Sequence, residues 1–172
     1  MKNNFIKVLF SIFLITSLAS CDEGGDPSRE EIGGTTTGQW AGDWFVTLRD
    51  SDGNPIPGVD DNVIHHTYNT SANDNTMWFA DEQHGYYIKA KIVMNVATGQ
   101  FYATDVTNFD DGGANDTTVT ITDGQIIKNG GLSKAGHVVD KIVCRIHYSY
   151  DADGYDILYE GHKRTGFFED EY

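Results

Sequence analysis

From Lys141 to Glu160 the chain changes chemical character at almost every step. Ile142, Cys144, Ile146, Tyr148 and Tyr150 alternate with Lys141, Val143, Arg145, His147 and Ser149. After Asp151-Ala152-Asp153-Gly154 the sequence resumes with Tyr155, Ile157 and Tyr159 against Asp156, Leu158 and Glu160. A period of two marks a strand with one buried face, and the polar break between the runs supplies a turn. With a four-residue loop Glu160 faces Arg145; with a two-residue Asp153-Gly154 turn it faces His147. Both registers put the apolar sets on one face and a cation beside the carboxylate.

The same period recurs along the chain. Trp44, Val46 and Leu48 alternate with Phe45, Thr47 and Arg49, and shorter strands are expected over 63–70 and 76–79. From Tyr86 to Val96 the residues Tyr86, Ile88, Ala90, Ile92, Met94 and Val96 line one face. Strands follow over 101–106 and 117–122, and Asp123-Gly124 is a hairpin signal that returns the chain through 125–128. Asn129 to Gly136 reads as a loop. No segment after residue 21 keeps helical periodicity for ten residues, and no internal repeat is visible. Eight or nine short strands with hairpin-like connections imply an all-β fold. An antiparallel barrel of about eight strands is favoured over a sandwich, because closure removes exposed edges.

The N-terminus sets the address. Lys2 and Lys7 precede an apolar run from Val8 to Leu18, which ends in Leu18-Ala19-Ser20-Cys21. That is the layout of a secretory signal, and the run falls well short of the ~20 residues of a spanning helix. It resembles a bacterial lipoprotein signal, cut before Cys21, whose thiol then carries diacylglycerol. The resulting organisation is a signal peptide at 1–20, a flexible acidic tether at 21–37 and a β-barrel domain at 38–172. Cutting there removes both lysines and takes the net charge from −14 to −16. A surface so acidic is repelled by phosphate backbones, which argues against nucleic acid as a partner. With Cys21 acylated, Cys144 has no intramolecular partner, so the fold rests on apolar burial without a disulfide framework.

The lipobox, the acidic tether, the opening Trp40-Ala41-Gly42-Asp43-Trp44 and the strand Tyr86-Tyr87-Ile88-Lys89 together resemble a family of Bacteroidetes outer-membrane lipoproteins. That family is called lipid-binding putative hydrolase and has a calycin-like barrel. The acidic start of the tether is similar to a signal that sends outer-membrane lipoproteins to the cell exterior. Gly38-Gln39-Trp40 and Gly42-Asp43-Trp44 each resemble the Gly-x-Trp opening of lipocalins. There the Trp closes the barrel bottom beneath a basic residue of the last strand, and Arg164 is the candidate here.

Candidate chemistry in the barrel domain is sparse. His65 and His66 are adjacent, so on a strand they point to opposite faces and cannot share a site. His147 and His162 could share the polar face of the last hairpin, but a zinc site needs three or four converging ligands. The Asp-rich stretches 50–54 and 151–156 lack the distal ligands of a calcium loop and read as turns. No serine lies in a Gly-x-Ser-x-Gly elbow. No metal, cofactor or catalytic residue is assigned. The aromatic content points to binding instead, with Trp44, Trp78, Tyr86, Ile88, Ile146, Tyr148 and Tyr159 as candidate contacts for a small hydrophobic ligand. The expected function is a lipid-anchored outer-membrane protein that binds a small apolar or amphipathic, lipid-like molecule inside its barrel. Glycan-binding surface lipoprotein and lipid or ester hydrolase are the alternatives, and the bilayer is the partner through acylated Cys21.

Overall fold

Alternating runs leave one face of each strand apolar, and eight such strands bury those faces by curling into one wall. The computed structural model describes residues 34–110 and 116–172. The expected signal peptide, Cys21 and the expected tether as far as residue 33 lie outside the described residues. The strands are β1 (Gly42–Arg49), β2 (Val63–Asn69), β3 (Thr76–Ala80), β4 (Lys89–Met94), β5 (Gln100–Thr107), β6 (Thr118–Leu132), β7 (Val138–Tyr148) and β8 (Ile157–Lys163). They form a closed antiparallel barrel in sequence order, β1 pairing with β8 from Trp44↔Lys163 to Arg49↔Leu158. A 3-10 helix, Gly38–Trp40, precedes β1. Thr36, within the stretch read as tether, donates its backbone N–H to Asn73 Oδ1 at 3.0 Å, and Thr37 is buried.

Several local expectations are corrected. Asp123-Gly124 is no hairpin: β6 runs through it, and the turn signal is spent on a bulge. Three steps of β6, Thr122 to Gln125, face two steps of β7, Arg145 to Val143. Asp123 takes the extra residue with φ +53°. A Cβ on Gly124 would lie 2.3 Å from the Phe101 carbonyl oxygen, so β5 crosses there only because the side chain is absent. The expected loop at 129–136 is shorter, because Asn129–Leu132 remain in β6 beyond a second irregularity at Asn129, φ +54°. The strand expected from Tyr86 begins at Lys89; Tyr87 has φ +57° and belongs to the preceding loop. In the last hairpin Ile146 faces Ile157 and Glu160 faces Val143, so neither expected register occurs. Glu160 instead pairs with Lys141.

The barrel is filled. Val46, Met77, Phe79, Ile88, Ile92, Ile121, Ile146, Tyr148 and Ile157 are 0% exposed, leaving no room beside them for a water molecule. An eight-stranded wall encloses a space that side chains can just occupy, and here they do.

One end is sealed by tryptophans. Trp40 donates its indole N–H to the Val96 carbonyl at 3.2 Å, with the Lys128 ammonium 4.8 Å from its ring centroid. The Trp44 indole donates to Thr67 Oγ1 at 2.9 Å, and that hydroxyl donates to the Trp40 carbonyl. The cation over Trp44 is Lys163, at 5.9 Å, rather than Arg164, which stands over Phe45. A Cβ on Gly42 would lie 2.8 Å from Lys163 Cε, so the glycine lets the lysine lie across the ring.

The bulge carries a prediction. Gly124→Ala should lower stability by about 1–3 kcal/mol through overpacking against Phe101. Asp123→Gly, at a φ that glycine adopts freely, should remain within about 0.5 kcal/mol of the wild type. Urea unfolding of the two variants checks both.

Candidate ligand groove and barrel mouth

The end opposite the tryptophans carries the loops after β1, β3, β5 and β7. Below them lies a buried polar cluster. The Tyr148 and Tyr159 hydroxyls are 2.7 Å apart, and burial pushes both well above the ordinary phenol pKa. His65 packs against Phe79 and Tyr159 with centroids 5.5 Å away in each case. Its Nδ1 lies 3.3 Å from the Val63 carbonyl, which can only accept, so Nδ1 carries the proton. Nε2 is left as a buried acceptor with no partner among the described residues. Burial depresses the His65 pKa to about 3, which keeps the ring neutral and makes it a poor base.

Asp81 caps the loop from the same side. Its carboxylate accepts the N–H groups of Gln83, Gly85 and Ile88 at 3.0–3.1 Å. Burial raises its pKa against those hydrogen bonds. Tyr86, Tyr148 and Tyr150 close over the cluster, with Tyr86–Tyr148 at 5.0 Å and Tyr148–Tyr150 at 5.3 Å. The Tyr86 hydroxyl donates to Asp151 at 3.3 Å, and burial first, then Asp151, raises its pKa to about 12. Asn108 joins the upper parts of β4 and β5, accepting the Lys89 N–H and donating to the Tyr87 carbonyl.

Five of the seven candidate contacts, Trp44, Ile88, Ile146, Tyr148 and Tyr159, point inward and are at most 2% exposed. They pack against the barrel's own side chains. Tyr86 lies half-buried in the mouth. Trp78 points outward between buried Met77 and Phe79, edge-on to Phe109 at 5.5 Å and flanked by Lys89 and Lys91. The seven residues therefore form no common pocket lining.

A concavity exists on the outside. A groove of about 750 Å³ runs over β1 and β8, with Phe45, Thr47 and Leu158 as its floor. The β6–β7 hairpin forms one wall through Gly130, Gly131, Leu132 and Val138. This wall comes close because Gly131 has no side chain; a Cβ there would lie 3.3 Å from His162 Cβ. The cations at the rim are paired, Arg49 with Asp61 at 2.7 Å and Lys141 with Glu160. At one end the C-terminal tail closes in, with the Tyr172 ring 4.9 Å from Phe45 and its hydroxyl 3.2 Å from His162 Nε2. A second hollow of about 890 Å³, beside β4 and β5, is bordered by Asn75, Asn95, Gln100, Asp123 and Gln125 and offers a more polar lining.

The tail is held by a buried carboxylate. Asp170 accepts the Ala135 N–H at 2.8 Å and the Thr165 hydroxyl at 2.7 Å, and meets His137 Nδ1 at 2.9 Å. Burial opposes its charge, but hydrogen bonds from Ser133, Thr165, His137 and Ala135 hold its pKa far below the carboxylate range. The residue types of a hydrolytic triad meet here in the wrong order. Ser133 hydrogen bonds the carboxylate and accepts the backbone N–H of His137, while the His137 ring meets Asp170; a triad needs the imidazole between hydroxyl and acid.

The other expected sites resolve similarly. His66 points outward and bonds Asp43 at 2.8 Å, on the opposite face from His65. His147 lies by Asp156 at the mouth, whereas His162 faces Lys141 toward the sealed end. Asp50 accepts the backbone N–H groups of Asp52 and Asn54, so its carboxylate serves its own turn. Cys144 is buried and free, and burial pushes its thiol pKa up.

His65 makes acid stability testable. Below about pH 6.5 an unfolded imidazole takes up a proton, while the folded ring resists until about 3. The folded state therefore loses stability as pH falls through that interval, by about 3 kcal/mol between pH 7 and pH 4. In His65→Phe this part of the pH dependence should disappear, which urea titrations at the two pH values will show independently of any packing change.

A family sequence model described as lipid-binding putative hydrolase matches residues 29–168. No curated protein matches the chain.

Proposed function

The chain belongs to the lipid-binding putative hydrolase family, and on that premise we propose that it holds an acyl chain of a lipid-like amphiphile in the outer groove, at the outer membrane. One observation carries the choice of site. The barrel interior is filled by its own side chains, whereas the groove is an open concavity of about 750 Å³ with an apolar floor. That volume lies within the ~300–1,000 Å³ of small-molecule sites. Burial of methylenes on Phe45 and Leu158 supplies the affinity, at roughly 0.8 kcal/mol for each one fully removed from water. The polar rim at Arg49, Asn62 and Lys141 keeps a head group at the surface.

The membrane address rests on sequence. Leu18-Ala19-Ser20-Cys21 has the layout of a lipoprotein cleavage site, and a diacylglyceryl group on Cys21 would hold the protein more firmly than one acyl chain does. The reading concerns binding; no nucleophile with an activating base is assigned.

Two measurements test this. In a titration with an environment-sensitive fatty-acid probe, Leu158→Glu should weaken binding about tenfold or more, while Tyr150→Ser at the mouth should leave it unchanged. Loss of binding on altering the mouth but not the groove would overturn the site. Mass spectrometry of protein taken from its native membrane should find an N-terminal peptide that begins at Cys21 and carries a diacylglyceryl thioether.

A further inference from the structure

The sealed end of the barrel exposes an unusual amount of apolar surface. Leu132 and Val138, at the β6–β7 tip, are 62% and 64% exposed, and Phe167 and Phe168 in the tail are 56% and 93% exposed. Leu132 and Val138 pair across the hairpin, and the tail is joined to that tip through His137. His137, next to Val138, has its ring 5.6 Å from that of Phe167. Lys134 lies 5.0 Å from the centroid of Tyr172, whose ring rests on Phe45 in the groove floor. The patch is built and not a loose tail, since buried Asp170 joins the hairpin tip at Ala135 and His137 to the tail at Thr165. The effect of this staple is to hold two adjacent phenylalanines outward. Such a surface on a folded chain marks an interaction site.

We propose that this patch docks on a phospholipid bilayer and brings the groove end at Leu132 and Val138 to the membrane surface. The proposal rests on the lipid-anchored reading above, and three observations favour a bilayer as the occupant. β1 begins at the end where β8 finishes, Trp44 facing Lys163, so the segment before β1 and the C-terminal tail leave the barrel together. From Gly34 back to Cys21 the chain can extend at most about 45 Å, which confines an acylated protein to a narrow layer with this end free to meet the lipid. The patch also has the composition of an interface, with aromatic rings, aliphatic side chains and Lys134, whose long stem can lie along apolar surface while the ammonium stays wet. The charged groups facing it are Lys134, His137, Glu169 and Glu171, the last paired with Arg164 at 2.7 Å. This mixed set, on a chain whose net charge is −16 once residues 1–20 are removed, suits a zwitterionic surface better than an anionic one.

The test uses the full chain, processed in its own membrane and reconstituted in phosphatidylcholine–phosphatidylethanolamine vesicles. Phe168→Cys is labelled with nitrobenzoxadiazole, and Tyr150→Cys, at the opposite end, serves as reference; Cys144 is buried and does not compete. The Phe168 probe should shift to the blue and be quenched by nitroxide-labelled phospholipid, while the Tyr150 probe remains water-like. A water-like, unquenched Phe168 probe on vesicle-bound protein would overturn docking. So would a blue-shifted probe that nitroxide lipid does not quench, which would assign the patch to a protein partner. The groove is tested separately by fatty-acid probe titration of the same sample, so loss of either result leaves the other readable. A Phe167→Ser/Phe168→Ser variant should slow transfer of the probe from vesicles about tenfold or more without changing its affinity for probe in solution.

Discussion

Closure between β1 and β8 is the constraint on which the other features depend. Six residue pairs, from Trp44↔Lys163 to Arg49↔Leu158, join the first strand to the last. Once the ring is shut, no edge remains to be paired, and every inward side chain must share one fixed volume. The close contacts follow from this. Gly161 admits β1, where a Cβ would lie 2.4 Å from the Phe45 carbonyl oxygen, and Gly124 admits β5. The start of β1 and the finish of β8 are also brought to one end, where Trp40 and Trp44 plug the base and the C-terminal tail wraps onto the outside.

The wall was legible in the sequence and the irregularities were not. Alternation of large apolar with polar residues identified the inward face of β1 and of the β7–β8 pair, because that period reports burial directly. It could not separate a hairpin from a bulge at Asp123-Gly124, since both need a residue with positive φ beside a glycine. It also could not fix the last register. The turn after β7 is longer than its Asp-Gly signal suggested, and the partner of Glu160 became Lys141. The Gly-x-Trp resemblance at Gly42-Asp43-Trp44 implied a basic residue of the last strand over the ring, but the lysine supplying it stands one position before the arginine expected.

The site was less legible for a related reason. Aromatic residues at inward positions suggest a pocket, yet the same residues fill a core, and only packing decides between them. Five of the seven residues chosen from the sequence became core. The groove escaped notice because its floor uses the outward face of β1 and β8, where Phe45 and Leu158 interrupt a polar series as single apolar residues. Its wall depends on Gly130-Gly131, which sequence alone reads as a loop. Asp170 was equally hidden: a carboxylate in an acidic terminal run gives no sign that it will be buried and bonded by four donors.

Cys144 has a different consequence. Its side chain lies in the wall opposite Tyr159, shielded from solvent and from other chains. Under the proposed export and acylation of Cys21, Cys144 would be the one remaining thiol, and in an oxidising compartment such a thiol is safe only while it is covered. Chains that open would expose it and cross-link in pairs, and each covalent dimer would then be barred from closing its barrel. Misfolding would thus become irreversible through a single atom, and disulfide-linked dimers would record how much of the protein had failed to stay folded.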